Sequence, residues 1–279
     1  MQSPGNVMAI GGAEDKIKKR VILSEFTRMA GGENAKIVIV PAASMMPRER
    51  GDLYATLFRE LGAGDVDVVH VANRPEANSP AVVELLERAT GVFVTGGVQL
   101  RLISMLGGTA MSAAVNALLS RGGVYGGTSA GAAVISSHMI VTGRGGLRVR
   151  RGMVDMAPGL GLVHDVIIDQ HFSQRGRLGR LIASVGLNPQ FLGVGIDEDT
   201  AAIFSPDGCL EVIGEGQVAV IDASKVTSTN LDVVAKTKPF SIVGLQMHLL
   251  THGNRFNLRT RNAEEPSEMI RLTRSGKKA

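Results

Sequence analysis

The sequence predicts an α/β fold, with a mostly parallel central sheet, helices on both faces and an antiparallel C-terminal extension. Three features predict it. Short apolar runs alternate with segments of helical spacing through the first half of the chain, the pattern of strands joined by crossover helices. The second half carries short strands parted by turn-forming residues, the pattern of hairpins. No linker rich in Pro, Ser or Gly divides the halves, so one domain over residues 1–267 is expected, followed by a polar, basic tail at 268–279.

In chain order, buried parallel strands are expected at Asn6–Ile10, Lys36–Pro41, Asp65–Val71, Gly91–Thr95 and Gly123–Gly126, each a short apolar run. Helical spacing falls at Lys16–Ala30, Glu49–Leu61, Pro80–Arg88, Gln99–Leu106 and Thr109–Ser120. The small-residue run AGAAVISS after Ser129 is also compatible with a helix. Further on, the stretches around Val166–Ile168 and Phe191–Ile196 are apolar strands that run into polar groups. Ala201–Phe204, Cys209–Ile213 and Val218–Asp222 are short strands, and the turns Pro206-Asp207-Gly208 and Gly214-Glu215-Gly216 predict successive hairpins.

Composition excludes several classes. A single cysteine, Cys209, rules out an internal disulfide framework, and its apolar setting marks a small core residue. The formal charge of +4 invites a nucleic-acid reading. Yet Lys and Arg are dense only around Arg144–Arg151 and in the tail, and with no Trp and two Tyr there are few platforms for bases. No nucleic-acid partner is expected. No segment approaches the roughly 18 uninterrupted apolar residues of a membrane helix, and the opening MQSPGNVMAIGGAEDK turns charged early. A cytoplasmic protein without a membrane partner is the expectation.

Gly127-Thr128-Ser129-Ala130-Gly131 matches the G-x-S-x-G nucleophile elbow. A serine on a sharp strand-to-helix turn needs small neighbours, and Gly126, Gly127, Ala130, Gly131 and Ala132 supply them. Amides at the start of the following helix would face a developing oxyanion. The alternative is a glycine-rich turn that cradles phosphate. No Walker pattern ends in Gly-Lys-Ser/Thr, and Gly11-Gly12 lacks the G-x-G-x-x-G spacing, so phosphate is the weaker reading. No cofactor is expected, and no metal either, since His164 and His171 lack a recognised zinc spacing.

A serine hydroxyl needs a base, and the base needs an orienting group. Six histidines are available: His70, His138, His164, His171, His248 and His252. His171 stands out because Val166-Ile167-Ile168 runs into Asp169-Gln170-His171, and the basic residues Arg175, Arg177 and Arg180 follow. Ligand sites in open parallel sheets lie beyond the carboxyl ends of strands. A second apolar strand ends in Asp197-Glu198-Asp199, where spacing alone does not choose among the three carboxylates.

These stretches together resemble one family. TGGVQL around Gln99, GTSAGA around Ser129, DQHFSQRGRLGRL from Asp169 and GIDEDTA from Gly195 resemble cyanophycinases, serine peptidases related to aspartyl dipeptidases. The opening IGGAED and the late LQMHLLTHG fit as well, so the likeness covers nearly the whole chain. It implies a flavodoxin or glutamine-amidotransferase-like fold and a triad of Ser129, His171 and Glu198. It also implies oxyanion donors at Gly97 and Ala130, and substrate contacts at Gln99, Asp169, Gln170, Arg175, Arg177 and Arg180. Asp169 would receive a substrate guanidinium or pair with a nearby arginine.

The family hydrolyses cyanophycin, a polyaspartate backbone with an arginine joined to each side-chain carboxyl, and releases β-Asp-Arg dipeptides. A homodimer acting as an exopeptidase through an acyl-enzyme is therefore expected. The rival within the superfamily is an aspartyl dipeptidase or other β-aspartyl peptide hydrolase. A non-catalytic ligand-binding protein is the rival from another class.

Overall fold

A computed structural model describes residues 5–264, so the basic tail expected at 268–279 lies outside the described residues. The elements, in chain order, begin with β1 (Val7–Ile10), α1 (Val21–Met29), β2 (Lys36–Val40), α2 (Pro47–Glu60), β3 (Asp65–Val68) and α3 (Arg74–Ala77). Then come α4 (Pro80–Arg88), β4 (Gly91–Val94), α5 (Gln99–Leu106), α6 (Ala110–Ser120), β5 (Val124–Thr128) and α7 (Ala130–Ala133). The chain continues with β6 (His138–Gly143), β7 (Val154–Pro158), β8 (Val166–Gln170), α8 (Leu178–Leu187), β9 (Leu192–Ile196), β10 (Thr200–Phe204) and β11 (Cys209–Gly214). Last are β12 (Val218–Asp222), β13 (Ser228–Thr229), β14 (Ile242–Val243), β15 (Gln246–Leu250), β16 (Arg255–Asn257) and β17 (Asn262–Glu264).

The central sheet runs β17-β16-β11-β10-β1-β5-β4-β2-β3. The five strands β1, β5, β4, β2 and β3 are parallel. The later strands add antiparallel on the far side of β1. Strand β1 is buried at all four positions because helices cover both faces of the parallel part. On one face Phe26 of α1 and Phe58 of α2 pack on Phe93 of β4, with ring centroids 5.3 and 5.0 Å apart in edge-on geometry. On the other, Leu86 of α4 and Leu118 of α6 join Val38, Val92 and Tyr125 in the larger apolar cluster.

A second sheet, β15-β12-β9-β8, stands beside the first. Only β8 and β9 pair in parallel within it. Its strands 8 and 9 carry His171 and Glu198 just beyond their ends, and the loop after β1 is stitched to both. Gly11 accepts the His171 N–H at 2.8 Å, Gly12 accepts the Asp199 N–H at 2.9 Å, and Gly11 donates to Thr200 O at 2.9 Å. Backbone pairing between two sheets therefore sets the distance between Ser129 and His171.

The parallel half and the β10–β11 hairpin follow the expectation from sequence, with differences at the edges. Helix α1 begins at Val21 rather than Lys16, because the Asp15 carboxylate accepts the N–H groups of Ile17, Lys18 and Arg20 and holds that stretch as a loop. Strand β3 ends at Val68, and the helix after Ser129 is one turn, Ala130–Ala133. The hairpin expected across Gly214-Glu215-Gly216 does not form. The place beside β11 is taken by β16, with Leu210 opposite Phe256. Strand β12 crosses to the second sheet instead, pairing with β9 and β15. Helix α8 and the β6–β7 hairpin were not expected from sequence.

Candidate active site

The elbow is formed by β5, which carries Ser129 out of the central sheet, and the one-turn helix α7 that follows. Ser129 takes φ 54° and ψ −107°, a conformation costing about 1–3 kcal/mol that persists only where surroundings enforce it. Here the Ser129 N–H donates to Ile10 O at 2.9 Å, and its carbonyl accepts the N–H groups of Ala132 and Ala133 at 3.0 Å. The hydroxyl is thereby fixed above β1 and β5.

His171 also has positive φ, 47°, which turns its ring back over the sheet end. Its Nε2 lies 3.0 Å from Ser129 Oγ, and its Nδ1 lies 2.5 Å from Glu198 Oε1. A Nδ1–H donated to the carboxylate leaves Nε2 as the acceptor for the serine proton. The ring rests on Gly12, where φ is 101°; a Cβ there would come within 2.4 Å of His171 Cε1. Only glycine fits beside that imidazole. Burial lowers the His171 pKa below the usual imidazole value, while the Glu198 contact opposes the shift. The ring is thus neutral and competent as a base near pH 7.

The three adjacent carboxylates divide the work by direction. Asp197 Oδ1 accepts the Ser173 N–H at 2.9 Å and Oδ2 the Gln217 N–H at 3.3 Å, so it braces the loop after His171. Asp199, at φ 47°, accepts the Asp15 N–H at 2.7 Å. Glu198 alone of the three meets the imidazole, and its own N–H is held by Gln174 Oε1 at 3.0 Å.

Gly97 lines the same cleft as Ser129, a space of about 700 Å³ shared with Glu14, Ser44, Arg50 and Tyr54. Gly97 adopts φ 151°, and a Cβ would meet Ala43 O at 1.9 Å, so close backbone approach demands glycine there. Among the described residues, neither the Gly97 nor the Ala130 N–H donates to another protein group. Both amides are available to a developing oxyanion.

Glu14 was not anticipated from sequence. It is 3% exposed, and accepts the Thr128 hydroxyl at 2.7 Å, the Tyr54 hydroxyl, and Lys16 Nζ at 3.1 Å. Burial and the neighbouring Glu14 charge hold the Tyr54 phenol well above its usual pKa, which keeps it a donor. The carboxylate therefore anchors Thr128, the residue immediately before Ser129. The stretch IGGAED contained it, but nothing local pairs residue 14 with residue 128.

The expected binding residues fall into two groups. Asp169, Gln170, Arg177 and Arg180 form a buried cluster under β8. Arg180 makes a two-point contact with Asp169, Nε to Oδ2 at 2.6 Å and Nη2 to Oδ1. Arg177 Nη1 reaches Asp169 at 3.3 Å and Gln170 Oε1 at 3.0 Å. Burial lowers the Arg177 pKa to about 10 and raises that of Asp169, and the Arg180 and Arg177 guanidinium groups oppose the rise at Asp169. Gln99 instead donates to the Ile140 and Val141 carbonyls at 3.1 and 2.9 Å, joining α5 to β6. Arg175 is exposed, with its backbone N–H on His171 O at 3.1 Å.

Comparison with known proteins gives the family. Residues 7–212 match the family model "Peptidase family S51". A cyanophycinase from Synechococcus elongatus is 44% identical over 261 residues, covering 93% of this chain and 81% of the relative. One from Geminocystis herdmanii is 43% identical over 91% of this chain and 94% of the relative. One from a Nostoc species is 45% identical over 90% and 85%. The crystal structure of a peptidase from an acI-B1 Actinobacterium superposes with a TM-score of 0.65 at 22% identity, covering 92% of this chain and 98% of that one, which supports the fold. The chain belongs to peptidase family S51 and is a serine-type peptidase.

Proposed function

We propose that this peptidase hydrolyses cyanophycin to β-Asp-Arg dipeptides, with Ser129 as nucleophile, His171 as general base and Glu198 as its orienting group. One observation carries the catalytic assignment. The serine hydroxyl, both imidazole nitrogens and one carboxylate lie in a continuous hydrogen-bonded line of 3.0 and 2.5 Å. The substrate assignment rests on three relatives named cyanophycinase, at 43–45% identity over at least 90% of this chain.

In this mechanism Ser129 Oγ attacks the aspartyl carbonyl and gives its proton to His171 Nε2. The C–N bond then breaks as that proton passes to the departing amine, leaving an acyl ester on Ser129. Water, deprotonated by the same nitrogen, hydrolyses the ester. The Gly97 and Ala130 amides meet the oxyanion in both steps. Glu198 holds the imidazole in the required tautomer and stabilises its transient positive charge. The Asp169–Arg177–Arg180 cluster acts by shaping the wall beside His171, and Gln99 by fixing the strand opposite. Exposed Arg175 meets a substrate carboxylate as a planar fork.

The reading is tested by incubating purified protein with cyanophycin and weighing the products. β-Asp-Arg as the main product supports it; cleavage of Asp-X dipeptides without release from polymer sinks it in favour of an aspartyl dipeptidase. A pH profile tests Glu198. The burial-depressed His171 places the acid limb of kcat/KM below about pH 6.5, activity rising with pH as the ring loses its proton. Glu198→Gln removes the contact that raises this pKa, so the limb moves to lower pH while the plateau falls. A limb that stays put or moves up would show that Glu198 does not face the imidazole in solution.

A further inference from the structure

The basic run Arg144–Arg151, conspicuous in the sequence, takes no part in the mechanism above. It forms the connection between β6 and β7 and borders an open groove of about 1040 Å³. The groove is lined by Arg144, Arg150 and Lys236 against a single carboxylate, Asp155, which accepts the Thr142 hydroxyl at 2.8 Å. Among the described residues these three cations make no ion pair. Arg150 Nε is enclosed, yet among the described residues it has no hydrogen-bond partner. An enclosed donor without an acceptor is costly unless a ligand supplies one.

The groove is tied by hydrogen bonds to the segments that hold Gln99 and His171. Gln99, two residues after Gly97, grips Ile140 and Val141, and the groove begins at the next residue, Thr142. The Gly143 carbonyl accepts from Arg180 Nη1 at 3.1 Å, and Arg180 holds Asp169 two residues before His171. Gly146 donates to Gly176 O at 2.6 Å and accepts from Gly179 at 3.1 Å, docking the arm onto the loop after the base. On the far side Gly152 N–H donates to Lys236 O at 3.1 Å.

We propose that this groove is a second binding site for the substrate chain, taking the carboxylates of polymer units that lie beyond the scissile bond. The inference rests on the substrate proposed above. In that polymer each arginine is attached through its α-amine, so its own carboxylate stays near the backbone while its guanidinium sits three methylenes further out. Exposed Arg144 and Lys236 and half-buried Arg150 meet the carboxylates along the groove, and the guanidinium groups extend to solvent or reach Asp155. Successive units present the same charges, so several weak contacts act together once one bond occupies the cleft.

The test compares two substrates with full-length protein: cyanophycin, and the two-unit peptide (β-Asp-Arg)2, which contains one scissile bond and no further units to occupy the groove. The variants are Lys236→Glu and the triple Arg144→Gln/Arg150→Gln/Lys236→Gln. The groove predicts that kcat/KM on polymer falls about tenfold in the triple variant, mainly through KM, and that its dependence on NaCl flattens. Turnover of the two-unit peptide stays within about twofold of wild type, which also reports an intact fold. Equal losses on both substrates, or no loss on polymer for either variant, overturn the proposal. So does loss of RNA binding with unchanged polymer kinetics, which assigns the groove to nucleic acid. Wild-type protein that cleaves no polymer overturns the substrate reading itself, and the groove with it, before any variant is made.

Discussion

Ser129→Ala protein is expected to lose hydrolysis of β-aspartyl substrate by roughly ten-thousand-fold or more in kcat, with unchanged thermal stability. The magnitude follows from the site's construction. In the proposed mechanism, removing Oγ takes away the atom that forms the acyl ester, and it leaves His171 Nε2 without the hydroxyl now 3.0 Å away. What remains is oxyanion stabilisation by two amides and substrate binding, which act weakly without a nucleophile. The backbone should not change, because the φ 54° turn is enforced by contacts of main-chain atoms and by small neighbours, none of which involves the hydroxyl. Steady-state kinetics beside a thermal melt checks both halves. Residual activity within a hundredfold of wild type would remove Ser129 from the mechanism.

The second large effect is on stability. Asp169→Ala leaves Arg180, 4% exposed, and Arg177, 9% exposed, facing one another without a counter-charge. Breaking a buried ionic cluster from one side costs about 3–5 kcal/mol, because the uncompensated charges stay in a poorly solvated place. A fall of the thermal midpoint by roughly 10 °C is expected for a chain of this size. Asp169→Asn preserves shape and one carbonyl acceptor and should fall less. Because the cluster lies two residues from His171, activity at low temperature should also drop in Asp169→Ala. A midpoint within about 2 °C of wild type would mean that the guanidinium groups reach solvent and the cluster is not the wall described.

The same cluster shows where local sequence reading reaches its end. The run of Asp169, Gln170, Arg175, Arg177 and Arg180 stands out as polar residues beyond a strand, expected as substrate contacts, with an ion pair to a nearby arginine as the alternative for Asp169. Arg177 and Arg180 turn inward because α8 starts at Leu178 and rolls its apolar face, with Leu181 and Val185, onto the second sheet. The spacing of Leu178, Leu181, Ile182 and Val185 carried that helix, but the arginines between them masked it. Once the helix is in place, Arg180 lies on its inner side and Asp169 becomes its counter-charge.

The turn at Ser129 was legible because its requirements are local: small residues between a strand and a helix. The parallel half was legible for a similar reason, since each short apolar run is bounded by its own turn signals. Spacing could not choose among Asp197, Glu198 and Asp199; the family resemblance pointed to Glu198, and tertiary contacts separate the three. Their directions are set by partners at Ser173, Gln217 and Asp15, which no spacing connects. The crossing of β12 is likewise decided far away, by β16 occupying the edge of β11. Glu14 beneath the elbow shows the same limit, because its meaning comes from Tyr54 and Thr128 rather than from its neighbours.

The central claim is that Ser129 is made nucleophilic by His171, and covalent trapping tests it most directly. Wild-type protein treated with a serine-reactive phosphonate should gain one adduct by intact mass, mapped to the peptide containing Ser129. His171→Ala protein should label far more slowly, and Ser129→Ala not at all. Labelling at another serine, or equal labelling of wild type and His171→Ala, would contradict the account.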